Sequence, residues 1–97
     1  MNTKKSDKFL LSLFIAGKTL KSIAALKNLK YISDELLKGK YRIEVIDLLK
    51  NPKLAREHQI IAIPTLVKKQ PLPKRNIIGD LSNRELVMKE LNINVKI

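Results

Sequence analysis

The segment Ile63-Pro64-Thr65-Leu66 decides how the middle of this 97-residue chain folds. Pro64 has no amide hydrogen to donate, which suits the first residue of a β-strand, and β-branched Thr65 favours extended backbone. We therefore predict a strand over residues 65–68. The chain contains no cysteine, so disulfide bonds, thiol catalysis and thiolate metal sites are excluded.

Upstream of this segment, the sequence predicts a buried strand and a helix. Residues 9–15 read Phe-Leu-Leu-Ser-Leu-Phe-Ile and are apolar almost throughout, which is typical of a central strand buried on both faces. Thr19 is placed to cap the helix that follows. The apolar stripe of that helix has helical spacing and consists of Ala25, Leu26, Leu29, Ile32 and Leu36.

A second strand and a short helix are predicted between that helix and Pro64. Residues 41–47 alternate apolar and charged side chains, which indicates a strand. Asn51 is a favourable cap and Pro52 suits the first helical position. We therefore expect a short helix over residues 52–59.

After residue 68, the pattern predicts a hairpin and a terminal helix. Gln70-Pro71-Leu72-Pro73 forms a stiff connection to another strand at residues 76–78. Ser82 and Glu85 have the spacing of a capping box, in which each side chain satisfies an exposed amide of the other residue. The apolar residues within 86–91 then supply the buried side of the last helix.

The resulting order is β-α-β-α-β-β-α, which is the arrangement of an α/β, thioredoxin-like domain. We predict one domain over residues 1–97, with a flexible tail at residues 1–7. In such a domain the turn at Pro64 lies beside the groove where partners bind. The alternative is that Pro64 only starts a strand and has no binding role.

Two short patterns suggest other chemistry but lack the residues that it needs. Gly17-Lys18-Thr19 follows a strand as in a phosphate-binding P-loop, yet Ser12 stands where that motif requires its first glycine. His58 is the sole histidine and has no partner residues for metal binding or acid–base catalysis. We therefore predict no catalytic residues, no metal site and no cofactor.

The net charge of +11 indicates attraction to anionic partners. The cations are dispersed along the sequence, the densest groups being Lys4-Lys5-Lys8 and Lys68-Lys69 with Lys74-Arg75. Aromatic residues for base stacking are scarce, so we predict no specific nucleic-acid binding. No apolar run approaches the ~18 residues that span a bilayer. A cytoplasmic protein without a membrane role is the simplest interpretation.

Four blocks of the sequence, between Phe9 and Leu91, resemble the KaiB family of circadian clock proteins. The blocks are Leu13-Phe14-Ile15-Ala16-Gly17, then Val45-Ile46-Asp47-Leu48-Leu49-Lys50-Asn51-Pro52-Lys53-Leu54-Ala55, then Ile63-Pro64-Thr65-Leu66, and finally Ile77-Ile78-Gly79-Asp80-Leu81-Ser82-Asn83-Arg84-Glu85. The second and fourth blocks are long, ordered and specific.

This resemblance implies a non-enzymatic regulator that binds the KaiC ATPase and can recruit KaiA. It also implies a switch between a self-associating tetramer with its own topology and a thioredoxin-like monomer that binds partners. A homo-oligomer, dimer or tetramer, is therefore among the expected partners. We expect partner contacts at Lys50, Asn51, Pro52, Lys53, Leu54 and Pro64. We expect the hinges of a fold switch at Pro71, Pro73, Gly79 and Asp80. The helix-forming pattern of residues 82–91 favours the thioredoxin-like form.

Several positions depart from the family pattern. Leu20 stands where the family usually has proline, and Arg56 and His58 replace acidic residues on either side of Glu57. Leu72 interrupts a proline triplet. Changes of charge alter partner choice, because binding specificity depends on electrostatic complementarity. A clock-independent, thioredoxin-like role in stress adaptation is therefore the alternative function.

Overall fold

A four-stranded mixed sheet organises residues 8–92, the part of the chain that this computed structural model describes. Its strands are β1 (Phe9–Ile15), β2 (Tyr41–Asp47), β3 (Thr65–Gln70) and β4 (Arg75–Ile78). Their spatial order is β2-β1-β3-β4, with β1 and β2 parallel and both other pairs antiparallel. The predicted flexible tail, residues 1–7, lies outside the described residues.

Three helices pack on this sheet and complete the predicted order β-α-β-α-β-β-α. They are α1 (Leu20–Ile32), which continues into a π-helical turn (Ser33–Leu37), α2 (Lys53–Glu57) and α3 (Arg84–Leu91). Within residues 8–92, every helix is too short or too polar to cross a lipid bilayer.

β1 separates two apolar clusters, as the continuous apolar run of residues 9–15 predicts. On one face Leu11, Leu13 and Ile15 pack with buried side chains of α1 and α3. On the other face Phe14 packs with Ile46, Leu48 and Val67, and with partly buried residues of α2 and the loop after it. The face toward α1 and α3 therefore carries the larger core, and the α2 face carries a smaller one.

The caps of two helices show which local signals the fold uses. The Thr19 side chain accepts a hydrogen bond from the Ser22 amide at 3.1 Å, so the predicted cap of α1 is confirmed. The predicted Ser82 cap of α3 is wrong, because Asn83 is the N-cap and accepts from the Leu86 amide at 3.1 Å. The Ser82 amide instead donates to Asp80 Oδ1 at 3.0 Å, which keeps Ser82 in the preceding turn.

Asn83→Ala is expected to lower the free energy of unfolding by about 1 kcal/mol, because the first-turn amide of Leu86 loses its partner. Ser82→Ala is the matched control and is expected to change stability by less than about 0.5 kcal/mol. Urea denaturation followed by far-ultraviolet circular dichroism measures both. A larger loss for Ser82→Ala than for Asn83→Ala would contradict this assignment of the cap.

The start of α2 also differs from the prediction. Pro52 occupies the N-cap position with helical backbone angles, and no side chain caps this helix. The helix therefore begins one residue later than expected, at Lys53, and ends at Glu57 instead of near Gln59. Gln59 has a φ of 56°, a left-handed conformation that cannot continue a right-handed helix.

Lys68 is a charged residue that the structure places in the core. Lys68 belongs to one of the densest basic groups of the sequence, yet it is only 1% exposed. It lies on β3 opposite Leu11 of β1 and Arg75 of β4. Burial lowers the pKa of its ammonium, the positive charge of Arg75 lowers it further, and Glu90 partly opposes both effects.

Candidate functional site

Four loops meet at one end of the sheet, which we call the apical end and define by residues 16–20, 48–52, 59–64 and 79–83. The parallel strands β1 and β2 both finish there. Antiparallel β3 begins there, because Thr65 pairs with Phe14, and β4 finishes there, because Ile78 pairs with Thr65. Segments that are distant in sequence therefore share one surface.

Four exposed apolar side chains lie within the segments that form this apical end. They are Leu20 (87% exposed), Leu49 (69%), Ile61 (89%) and Ile63 (41%). Single exposed apolar residues are ordinary on protein surfaces, but a group contributed by three loops at one end of a sheet is typical of a contact surface. Sequence analysis did not select these residues. Their signal was an apolar side chain in a loop, or at the start of a helix, close to Gly17, Asn51 or Pro64.

Asp47 holds two of these loops together. Its Oδ1 accepts hydrogen bonds from the Gly17 and Leu49 amides, each at 3.0 Å. The two amides stabilise the carboxylate, Leu49 first and then Gly17, and so lower the pKa of Asp47 below its ordinary value. Gly17 has a φ of 74°, and a Cβ there would lie 2.9 Å from Leu49 Cδ1. The close approach of the two loops therefore needs glycine at position 17.

The carboxylate of Asp47 is expected to make stability depend on pH. Because its pKa is lower in the folded chain than in the unfolded one, its contribution is complete above the ordinary value of 3.8 and is lost as the pH falls through the lowered value. Asp47→Asn keeps an acceptor oxygen but removes the charge. The stability difference between wild type and this variant should therefore shrink on acidification.

Urea denaturation at several pH values between neutral and strongly acidic conditions tests this expectation. Glu57→Gln removes the same charge from an exposed position on α2 and serves as the control. A stability difference between wild type and Asp47→Asn that stays constant over the whole range would contradict the role given to the two amides.

The structure groups five of the six predicted partner-binding residues, and Pro64 lies apart from them. Lys50, Asn51, Pro52 and Lys53 are exposed and, with half-buried Leu54 and with Glu57, line a shallow surface groove of about 390 Å³. Leu54 also packs on the cluster around Phe14. This segment continues the apical end from Leu49 onto α2.

Pro64 is buried at the apical end. Its ring is buried, the Ile63–Pro64 peptide bond is cis, and its carbonyl accepts a hydrogen bond from the Gly79 amide at 2.9 Å. The side chain itself is thus inaccessible, and the exposed apolar surface next to it belongs to Ile61 and Ile63.

The predicted hinge residues occupy opposite ends of the β3–β4 hairpin. Pro71 and Pro73 lie in its connecting turn, far from the apical end, and both follow cis peptide bonds. Gly79 and Asp80 follow β4 at the apical end, where the Asp80 carbonyl accepts from Asn28 Nδ2 at 2.8 Å. Their role as hinges stays a prediction.

The residues that depart from the family pattern have different surroundings. Leu20 and Arg56 are exposed at or beside the apical end, and Leu72 is exposed in the hairpin turn. His58 is half-buried at the end of α2, and its ring centroid lies 5.1 Å from that of Phe14. Among residues 8–92, no group of three side chains suited to metal binding occurs. The apical end offers a partner the exposed apolar side chains of Leu20, Leu49, Ile61 and Ile63. The exposed cations Lys50 and Lys53 lie beside them.

Comparison with known proteins agrees with the motifs. The family model for the KaiB domain matches residues 12–93. A Synechococcus elongatus protein named circadian clock oscillator protein KaiB is 52% identical over 85 residues, which cover 88% of this chain and 83% of that protein. A protein of the same name from Rippkaea orientalis is 50% identical over 93 residues and is covered to 88%.

Solved structures show the same fold in more distant proteins. The N-terminal domain of Synechococcus elongatus SasA aligns with a TM-score of 0.72 at 22% identity, over 93% of this chain and 89% of that domain. Mitochondrial thioredoxin 3 from Saccharomyces cerevisiae aligns with a TM-score of 0.71 at 20% identity, over 93% and 83% of the two chains. These likenesses confirm the predicted thioredoxin-like fold. The family model and the curated relatives establish that this chain belongs to the KaiB family of circadian clock proteins.

Proposed function

We propose that this chain is a cytoplasmic, non-enzymatic regulator that binds a KaiC-type ATPase through its apical end, within a circadian or timing system. The observation that carries the proposal is the group of exposed apolar side chains formed by Leu20, Leu49, Ile61 and Ile63 on the fold of a clock-protein family. Docking would remove this apolar surface from water, which is the main driving force of protein association.

Charge beside the apolar group supports a protein partner with an acidic rim. Lys50 and Lys53 are exposed next to Leu49, and Arg56 follows on α2. Rim charges of this kind mainly raise the association rate and select the partner. The same complex would present this chain for recruitment of a KaiA-like protein.

Binding to the KaiC-type ATPase of the same cell, measured by biolayer interferometry in each nucleotide state, tests the proposal. Ile61→Ser removes an exposed apolar contact, and Lys50→Glu with Lys53→Glu reverses the charge of the rim. Ile61→Ser is expected to weaken binding by about tenfold or more, as for a central contact of an interface. The double charge reversal is expected to weaken binding mainly by slowing association. Absence of binding by the wild type in every nucleotide state would contradict the proposal.

Matched controls are available at the opposite end of the sheet. Leu72→Ser removes an exposed apolar side chain from the hairpin turn, and Lys74→Glu with Lys89→Glu reverses two exposed charges outside the apical end. Both are expected to leave affinity within about threefold of wild type. Equal losses in the control and apical variants would place the contact elsewhere.

A clock-independent role in stress adaptation is the second candidate, and the residues Leu20, Arg56 and His58 favour it. They change the charge and shape at or beside the apical end relative to the family pattern, and such changes select different partners. This candidate predicts impaired survival of a deletion strain under oxidative or salt stress. Normal survival of that strain would exclude it.

A further inference from the structure

The end of the sheet opposite the apical end is strongly basic. We call it the basal end and define it by residues 8, 38–40 and 70–75, which lie where β1 and β2 begin and where β3 turns into β4. The segments of the apical end carry the cations Lys18 and Lys50 and one carboxylate. The segments of the basal end carry no carboxylate side chain and five exposed cations, which are Lys8, Lys38, Lys40, Lys74 and Arg75.

Strand pairing brings these segments to one surface. The Phe9 amide donates to the Lys40 carbonyl at 3.0 Å, which joins the start of β1 to the segment before β2. Leu10 pairs with Gln70 of β3 on one side and with Arg42 of β2 on the other. Because neighbouring strands lie about 4.8 Å apart, the start of the hairpin turn and the start of β2 are separated by roughly 10 Å.

Most of these cations have no anion of their own. Arg75 Nε lies 3.7 Å from Glu90 Oε1, so this guanidinium is partly neutralised. Within the described residues 8–92, the other four cations of the basal end form no salt bridge. Glu35 is exposed in the nearby π-helical turn and also forms none there. The basal end therefore has positive charge available for an external anion.

Leu72 adds an exposed apolar side chain at the tip of the hairpin between β3 and β4, where it is 77% exposed. Pro71 and Pro73 flank it and stiffen the tip, because the proline ring fixes the backbone angle φ. Lys74 and Arg75 follow directly in sequence. The basal end thus combines one apolar tip with a set of cations.

The surface of an anionic bilayer matches both parts of this arrangement. Its headgroups present negative charge to the cations, and the hydrocarbon beneath them receives an apolar side chain. The backbone of a nucleic acid matches the cations but offers Leu72 no apolar surroundings. A protein partner ordinarily covers about 800 Å² with an apolar centre, whereas Leu72 is the one large exposed apolar side chain of the basal segments.

We propose that the basal end binds the surface of a bilayer that contains anionic phospholipid, with Leu72 inserted among the headgroups and the surrounding cations on their phosphates. The expectation of no membrane role rests on the length of the apolar runs, and binding to a bilayer surface needs no spanning run. The apolar stems of lysine and arginine lie along such an interface while their charged ends stay in water. The apical end remains free on the opposite side, so this contact is independent of the proposed function.

Co-sedimentation with vesicles in salt of about 0.15 M tests the charged part of the contact. The wild type is expected to bind vesicles of phosphatidylcholine and phosphatidylserine about tenfold or more tightly than vesicles of phosphatidylcholine alone. Lys40→Glu with Lys74→Glu should weaken binding to the anionic vesicles by about 25-fold or more, since each cation at the surface contributes about fivefold. Lys50→Glu with Lys53→Glu lowers the net charge equally at the apical end, and as the control it should bind within about threefold of wild type.

Leu72→Trp tests the apolar part, because the chain has no other tryptophan. On addition of anionic vesicles, the emission of this variant is expected to shift to shorter wavelength and to be quenched by brominated lipid. Leu20→Trp, at an equally exposed apical position, is the control and should keep the emission of a side chain in water. Leu72→Ser should weaken vesicle binding by about fivefold. Far-ultraviolet circular dichroism reports whether each variant is folded.

Several results would overturn the proposal. They are equal binding of the wild type to the two kinds of vesicle, equal losses in the basal and apical charge variants, and a Leu72→Trp emission that anionic vesicles leave unchanged. Double-stranded DNA serves as a competing polyanion. Tighter binding to DNA than to the vesicles, undiminished by Leu72→Ser, would assign the basal end to nucleic acid and would overturn the proposal as well.

Discussion

Phe14→Ala is expected to lower the free energy of unfolding by about 3–5 kcal/mol, the largest loss of any single truncation among residues 8–92. Phe14 is fully buried and is the largest side chain of the cluster on the α2 face. That cluster is small, so few neighbours can move into the space left by the ring. A loss of this size approaches the whole stability of an ordinary small domain.

The same substitution should also disorganise the apical end. Leu48 and Leu54 pack on the Phe14 cluster, and they flank the segment that carries Leu49 and Lys50. Urea denaturation followed by circular dichroism measures the stability loss. Leu72→Ala truncates an exposed leucine and is expected to change stability by less than about 0.5 kcal/mol. A loss below about 1 kcal/mol for Phe14→Ala would contradict the burial assigned to the ring.

Lys68→Met is expected to raise the free energy of unfolding by about 2 kcal/mol at neutral pH. Methionine fills the volume of the buried stem of Lys68 and carries no charge to desolvate. The cation lies opposite Arg75, whose guanidinium is 3.7 Å from the Glu90 carboxylate, so the nearby anion is shared with a second cation. Lys69→Met, on the opposite face of β3, is the control and should give a smaller change.

The stability gain from Lys68→Met should depend on pH. Because the pKa of Lys68 is lower in the folded chain than in the unfolded one, the unfolded chain binds more protons between these two values. The destabilisation by the buried cation is therefore complete below the lowered pKa and is relieved as the pH rises toward 10.5. The advantage of the variant over wild type should shrink in alkaline solution. An advantage that grows with pH would contradict the assignment.

The order of the strands and helices could be predicted from the sequence because its signals are local. Residues 9–15 are apolar on both faces, and Thr19 precedes a helical stripe that the structure confirms. Where two local signals compete, the prediction is less secure. Ser82 and Asn83 are both good caps, and the turn made by Asp80 decides in favour of Asn83.

The functional surface could be predicted only in part. The segment from Lys50 to Leu54 was predicted from its motifs. Leu20, Ile61 and Ile63 lie near this segment only because β1 and β2 finish, and β3 begins, at the same end of the sheet. The adjacent Lys68 and Lys69 have the same chemistry, yet β3 turns Lys68 toward the core and leaves Lys69 half-buried on the other face.

The amino-acid sequence by itself determined the type of each element, the family and the exclusion of thiol chemistry, because periodicity, motifs and composition are properties of neighbouring residues. Only the tertiary structure decided that β2 is an edge, that Lys68 is buried and that separate loops form one apolar end. Each of these depends on which strands lie side by side, and that pairing joins residues far apart in the chain.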